Sequence, residues 1–161
     1  MTVDLMINIP VGIIEILKSN EFKLEPVSKT GVIALRKKFP NLCDQFFKLT
    51  EAVGYISTEH WSITHEPYPL LHGKNCPIPR DFEDYKKELK VRNSGTHIVP
   101  LFKPDEMFVF SPSGSSWDYC LRNDRTDMVY TIDWVSLEIT SKNQNFFDFL
   151  FEFLTAHLDK H

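Results

Sequence analysis

Residues 117–133, WDYCLRNDRTDMVYTID, decide the fold of this chain, because they hold two apolar runs on either side of a polar turn. Large side chains stand at alternate positions in both runs: Trp117, Tyr119 and Leu121 in the first, and Met128, Tyr130, Ile132 and, just beyond, Trp134 in the second. A period of two is typical of a β-strand with one buried face. The stretch therefore predicts an antiparallel hairpin that turns at Asn123–Asp127.

Further apolar runs extend this hairpin toward the N-terminus. Turn residues separate four runs along the chain: His97–Phe102, Glu106–Phe110, Trp117–Arg122 and Met128–Val135. Short strands at this spacing predict an antiparallel meander, in which Pro100 makes the first strand an edge strand or a bulged one. Upstream, Tyr55–Ile63 can hold one more strand, and the proline-rich residues 64–80 are expected to form a loop.

A phenylalanine-rich helix is expected after the meander. Asn143 or Asn145 can cap it. Its apolar side chains form a stripe with a widened edge: Phe147, Phe151, Leu154 and Leu158 in the stripe, and Phe146, Leu150 and Phe153 beside it. An apolar face this wide must be buried, so we expect the helix to pack against the sheet.

Shorter helices are expected before the meander. The first begins near Pro10 and ends near Asn20, and the second follows Thr30 and is stopped by Pro40. The third is capped by Asn41 and carries one buried stripe before Gly54 ends it: Leu42, Phe46, Leu49 and Val53. A polar helix is expected from Asp81 to about Asn93.

The composition fits one domain with a full-sized core. The chain has 161 residues, of which 42% are hydrophobic and 13% aromatic. A chain of this length and apolar content can bury a core without a metal or a disulfide as a staple. We therefore predict a single α+β domain over residues 1–161, with an antiparallel meander sheet of about 4–6 strands packed against helices and a Phe-rich C-terminal helix.

Charge is distributed unevenly along the chain. The formal net charge is −4, which argues against nucleic acid as the main ligand because phosphate binding needs a positive field. Residues 1–80 carry a net charge of +1 and residues 81–161 a net charge of −5. A charged partner is therefore expected to be basic and to meet the second half of the chain.

Cysteine usage and the N-terminal sequence indicate a cytoplasmic protein. Cys43, Cys76 and Cys120 are an odd number at wide spacings, with no C-x-x-C pair, so no disulfide framework is indicated. The apolar run from Leu5 to Leu17 is interrupted by Pro10 and Glu15 and is too short to span a bilayer. We expect neither a signal peptide nor a membrane contact.

Residues with the chemistry of a metal or catalytic site are present but poorly spaced. His60, His65, His72 and Cys76 combine both zinc-ligand types within 17 residues, yet their spacing matches no ligand pattern, and surface histidines in a loop explain them. We predict no metal and no cofactor. A cysteine nucleophile paired with one of the six histidines is the least favoured alternative, because Cys43 and Cys120 stand beside core positions.

Four aspartates are the candidate partner-binding residues: Asp118, Asp124, Asp127 and Asp133. They alternate with apolar residues along the last two predicted strands and their turn, so we expect several carboxylates on the exposed side of the sheet. Such a surface speeds the encounter with a basic partner. Trp61 is the candidate aromatic anchor. Ordinary solubilising charge is the alternative interpretation of each aspartate.

Three segments resemble the SUKH superfamily, which includes bacterial toxin-immunity proteins and fungal cell-wall-synthesis regulators. The first is Phe39-Pro40 followed by Phe46, Phe47 and Gly54. The second is Gly114–Leu121 followed by Met128–Asp133, and the third is Asn145–Leu150. These segments resemble, in the same order, the proline-containing helix, the aspartate-aromatic strands and the final phenylalanine helix of the family. The resemblance covers residues 31–63 and 81–158.

The resemblance implies a function without catalytic residues. An immunity protein of this family, as in contact-dependent inhibition, binds the C-terminal domain of its cognate toxin one to one and blocks it in the cytoplasm of the producing cell. A nuclease toxin, whose surface must be basic, would suit the acidic half of this chain. The alternatives are a regulatory interaction module that binds a host protein and, less favoured, a small hydrolase with a Cys/His pair.

Overall fold

Helices and antiparallel strands make up the computed structural model, which describes residues 3–19, 21–58, 62–63, 107–112, 117–133 and 139–159. The helices are a 3-10 helix at Val3–Asn8, α1 at Val11–Leu17, α2 at Lys29–Lys38, α3 at Asp44–Ala52 and α4 at Phe146–Asp159. The strands are β1 at Lys23–Glu25, β2 at Tyr55–Ser57, β3 at Ser62–Ile63, β4 at Met107–Pro112, β5 at Trp117–Arg122, β6 at Met128–Asp133 and β7 at Ile139–Asn145.

The strands form two antiparallel sheets, one ordered β1-β2-β3 and one ordered β4-β5-β6-β7. This arrangement confirms the predicted α+β class, the meander and the Phe-rich final helix. The fourth strand of the meander is β7, which we did not predict. The predicted strand at His97–Phe102, the loop at 64–80 and the helix from Asp81 lie outside the described residues.

The predicted single strand at Tyr55–Ile63 is wrong. The segment holds two short strands that pair with each other, with Ile56 opposite Ile63. Both isoleucines are buried, and the antiparallel pairing places both side chains in the same core. A continuous strand would have carried Ile63 away from Ile56.

The register of the meander confirms which side chains share a face in both central strands, but the prediction of one buried face is wrong, because Cys120 and Ile132 are also fully buried. Leu121 lies opposite Val129 and both are buried under the helices, together with the inner side of Tyr119. Cys120 lies opposite Tyr130 on the other face. The two predicted sets of side chains therefore lie on opposite faces of the sheet. Trp134, the last member of the second set, lies outside the described residues.

Phe46 is the centre of the hydrophobic core. Its side chain is 1% exposed. Its ring makes edge-to-face contacts with Phe108 at 5.1 Å and with Phe146 at 5.3 Å between ring centroids. These contacts join α3, β4 and α4. Aromatic pairs of this geometry stabilise a core beyond their area burial, so the three elements are held as one unit.

The buried face of α4 differs from the predicted stripe. Phe146, Phe149, Leu150 and Leu154 are buried, whereas Phe151 is 44% exposed. Phe149 and Phe153 pack instead on the ring of Tyr119 in β5, at 4.7 and 5.5 Å. The helix is apolar almost all round, and a sequence pattern of that kind does not show which side meets the sheet.

The caps decide where the last two helices begin. Asn145 caps α4, as predicted, because its Oδ1 accepts from the backbone N–H of Asp148 at 2.9 Å. The prediction that Asn41 caps α3 is wrong, since α3 begins at Asp44 with Cys43 in the cap position. Asn41 is left to bond another part of the chain. Gly54 ends α3 with a φ of 86°, as predicted.

Candidate functional site

The four candidate aspartates do not form one surface. Asp118 is only 3% exposed, so the expectation that it faces solvent is wrong. It lies opposite Ile132 on the face of the sheet that also carries Cys120, and both of these neighbours are fully buried. Asp133 lies opposite Trp117, on the other face, and is partly exposed. Trp61 lies outside the described residues.

Asp124 and Asp127 are exposed, as predicted, in the turn between β5 and β6. Asp124 pairs with the guanidinium of Arg122 at 2.8 Å and accepts from the backbone N–H and the hydroxyl of Thr126 at 3.2 and 2.7 Å. These short-range bonds fold the turn around the Asp124 carboxylate. The turn, rather than the sheet, therefore presents the acidic groups.

Asn41 holds this turn against the connection between α2 and α3. Its backbone N–H donates to Asn123 Oδ1 at 2.9 Å, and its backbone carbonyl accepts from the N–H of Arg125. Its side-chain Oδ1 accepts from Arg125 Nε at 3.4 Å. Arg125 has a φ of 70°, a left-handed conformation that costs a non-glycine residue about 1–2 kcal/mol. The three bonds to Asn41 offset that cost.

Gln45 ties the same turn to the last helix. Its Nε2 donates to Asp127 Oδ2 at 3.4 Å, and its Oε1 accepts from the backbone N–H of Phe147 at 2.8 Å. One side chain in α3 thereby positions both the acidic turn and the first turn of α4. Sequence patterns gave Gln45 no role, and they assigned Asn41 only to a cap, because their partners lie 82 to 102 residues away.

A cleft of about 570 Å³ opens between α2, the start of α3 and the turn. We call it the α3 cleft. Its lining contains charged side chains of both signs around an aromatic ring: Arg36, Lys48 and Arg125, Asp44 and Asp127, and Phe47. Arg36 lies over the Phe47 ring at 4.1 Å and pairs with Glu51 at 2.6 Å. The cleft therefore combines charges of both signs with an aromatic surface.

Cys43 also lines the α3 cleft, but as a neutral thiol. Burial raises the pKa of Cys43 to about 11, although the backbone N–H of Phe46 acts to lower it, and the nearby Asp127 raises it further. Burial likewise raises the pKa of Cys120. A thiol acts as a nucleophile only as the thiolate, so neither environment favours covalent chemistry near neutral pH.

Other predicted candidates for chemistry fall elsewhere. His60, His65, His72 and Cys76 lie outside the described residues. Among the residues that are described, no three His, Cys, Asp or Glu side chains are grouped so as to hold a metal ion. His157, the one histidine within those ranges, packs its ring against Phe22 at 5.4 Å.

The shifted pKa of Cys43 predicts how stability depends on pH. The thiol is neutral in the folded chain until about pH 11 and ionises from about pH 9 in the unfolded chain, so the stabilisation is complete below pH 9 and is lost as the pH rises to 11. Between pH 8 and pH 10.5, we expect the free energy of unfolding of Cys43→Ala to fall by about 2 kcal/mol less than that of the wild type. Urea unfolding at the two pH values measures this; parallel losses in both proteins would contradict the burial of the thiol.

The chain matches no family model, and comparison with curated proteins and with solved structures finds no significant match. The resemblance to the SUKH superfamily therefore stays a prediction. None of the helices in the described ranges combines the length and the apolar character needed to cross a membrane. Function must accordingly be inferred from the turn and the α3 cleft.

Proposed function

We propose that this protein is an immunity protein, which binds the C-terminal domain of a cognate toxin one to one and neutralises it in the cytoplasm of the producing cell. The observation that supports this proposal is the turn between β5 and β6. Asp124 and Asp127 are exposed there, while Asn41 bonds the Arg125 backbone and the Asn123 side chain, and Gln45 bonds the Asp127 carboxylate. Charges held in place before binding lose little conformational freedom when a partner arrives.

Electrostatics favour a basic partner for this turn through Asp127, which takes part in no ion pair in the described part of the chain, whereas Asp124 is paired with Arg122. A toxin that acts on nucleic acid must carry a basic surface, and exposed carboxylates both speed its approach and compete with phosphate for the same side chains. The net charge of −5 on residues 81–161 adds a long-range attraction. Asp118 has no part in this contact because it is buried. Asp133 and Trp61 remain predicted contacts.

The neighbouring gene tests the class of partner. An upstream gene for a large secreted protein with a variable C-terminal domain is expected, and that domain should be toxic alone and harmless when co-expressed with this chain. Purified domain and chain should then form a one-to-one complex. A complex with a host protein and no protection from the toxin domain would replace the immunity function with that of a regulatory interaction module.

Reversing the charges of the turn should slow association. We expect Asp124→Lys with Asp127→Lys to lower the association rate constant for the toxin domain about ten-fold at low salt, and to make that rate less sensitive to salt. The measurement is stopped-flow or surface plasmon resonance at two or more salt concentrations. Asp124→Asn with Asp127→Asn keeps acceptors for the turn bonds and should give a smaller change in the same direction.

A matched control separates the turn from net charge. Asp4→Lys with Asp159→Lys makes the same charge change on two exposed residues, at the 3-10 helix and at the end of α4. This control should keep most of the wild-type association rate. If the turn variant and the control associate equally fast, the acidic turn is a solubilising surface and the proposed contact is wrong.

A further inference from the structure

Three cations from three separate elements converge on the α3 cleft: Arg36 from α2, Lys48 from α3 and Arg125 from the turn. The charge of Arg36 is already balanced by Glu51. Across the described part of the chain, Lys48 and Arg125 take part in no ion pair. The cleft thus holds two cations that have room for an acidic ligand.

Apolar and charged side chains line the cleft together. Leu42 and Phe47 are almost fully buried there, while Lys48 and Arg125 are exposed to solvent. Arg125 is also directed into place, because its backbone N–H and its Nε both bond Asn41. A positioned guanidinium is the side chain best suited to hold a carboxylate.

The carboxylates of the same cleft restrict what can enter. Asp44 and Asp127 lie on its lining, so a free anion would meet two negative charges as well as the cations. An acidic group that is flanked by basic groups satisfies both signs at once. A protein segment with an acidic side chain between arginines or lysines has this pattern, and it is compatible with a basic partner surface.

We propose that the α3 cleft receives an acidic side chain of a basic partner protein, which pairs with Lys48 and Arg125 while basic residues on either side of it pair with Asp44 and Asp127. The identity of the partner as the toxin domain rests on the proposed function. The chemistry of the cleft does not. A cleft that pairs with charges of both signs rejects polycations and polyanions alike. This gives a selectivity that an acidic surface alone lacks.

A tripeptide titration tests the cleft without any toxin. Acetyl-Arg-Glu-Arg-amide is added to the 15N-labelled protein and followed by amide chemical shifts, and acetyl-Arg-Gln-Arg-amide is its neutral-centre counterpart. We expect saturable shifts at Lys48 and Arg125 with the Glu peptide, and roughly five- to ten-fold weaker binding of the Gln peptide. Equal affinity for the two peptides, or no shifts in the cleft with either, would overturn the proposal.

Two variants and one control assign the binding to the cleft. Lys48→Glu and Arg125→Glu should each remove the preference for the Glu peptide. Lys142→Glu makes the same charge change at an exposed site on β7 and should leave the preference intact. Lys48→Glu keeps the test decisive if the Arg125 variant disturbs the turn, since Lys48 is an exposed residue within α3. An unchanged preference in Lys48→Glu would place the peptide elsewhere.

The two proposals fail in different ways. If the upstream domain is neither toxic nor bound but the Glu peptide still prefers the wild-type cleft, the immunity function is wrong and the cleft chemistry stands. If the toxin domain binds the wild type and the Lys48→Glu variant equally well, and the peptides bind with equal affinity, the immunity function stands and the cleft proposal is wrong.

Discussion

Phe46→Ala is expected to lower the free energy of unfolding by about 3–5 kcal/mol. The side chain is almost wholly buried and its ring contacts Phe108 and Phe146, so the substitution removes apolar contacts from α3, β4 and α4 together. The cavity that remains lies where these elements meet, and a rigid aromatic core closes such a cavity only in part. Urea unfolding followed by circular dichroism measures the loss.

Phe151→Ala is the matched control for this prediction. It removes the same side chain from α4, at a position that is 44% exposed, and we expect a loss of about 1 kcal/mol or less. Equal losses in the two variants would show that Phe46 is not the centre of the core. A change in the slope of the urea transition would show instead that the unfolded or native state had altered.

Gly54→Ala is expected to lower the free energy of unfolding by about 3 kcal/mol. A φ of 86° is unfavourable for any residue with a Cβ, and the added methyl group would lie 2.2 Å from the backbone carbonyl oxygen of Glu25. Glu25 belongs to β1, which pairs with β2 immediately after the glycine, so the strands must separate to relieve the clash. The same urea experiment measures this loss.

Gly31→Ala provides the comparison within one chain. Gly31 lies in the first turn of α2, where an added Cβ meets only the side chains of Val27 and Ser28. Alanine is favoured over glycine in a helix by up to about 1 kcal/mol, which offsets the crowding. We expect the free energy of unfolding of Gly31→Ala to differ from that of the wild type by no more than about 1 kcal/mol. A large loss at Gly31 with none at Gly54 would contradict the described geometry of both sites.

The parts of the fold that were predictable are those encoded by local periodicity. The alternation in Trp117–Arg122 and Met128–Asp133 predicts two strands because each residue's face is fixed by its immediate neighbours. Helix ends were predictable where a proline or glycine stops the chain, as at Pro40 and Gly54.

β7 was missed because its sequence, ITSKNQN, has no apolar alternation. In the four-stranded sheet, β7 pairs with β6 only. Hydrogen bonds to β6, rather than burial of its own side chains, hold β7 in the sheet. Asn143 interrupts it with a φ of 55°, and the Ser141 hydroxyl bonds the Asn143 backbone. The burial of Asp118 was missed for a related reason: alternation assigns a residue to a face but does not show whether that face is covered.

The candidate site was predictable only in its acidic half. Asp124 and Asp127 stand in a turn, and turn carboxylates are exposed in most proteins. The residues that fix their geometry, Asn41 and Gln45, have no periodic signature, because their function depends on segments that the fold brings to them. The α3 cleft was not predicted, since it exists only where three elements meet.

Gln45 also bonds residues that are synthesised much later than Gln45 itself. Its partners Asp127 and Phe147 follow it by 82 and 102 residues. At translation rates of roughly 5–20 residues per second, the ribosome needs roughly 5–20 s after Gln45 to make Phe147. During this interval the nascent chain lacks the hydrogen bond that joins α3 to α4. The complete contact between α3, the turn and α4 therefore forms only after α4 has left the ribosome, late in the synthesis of the chain.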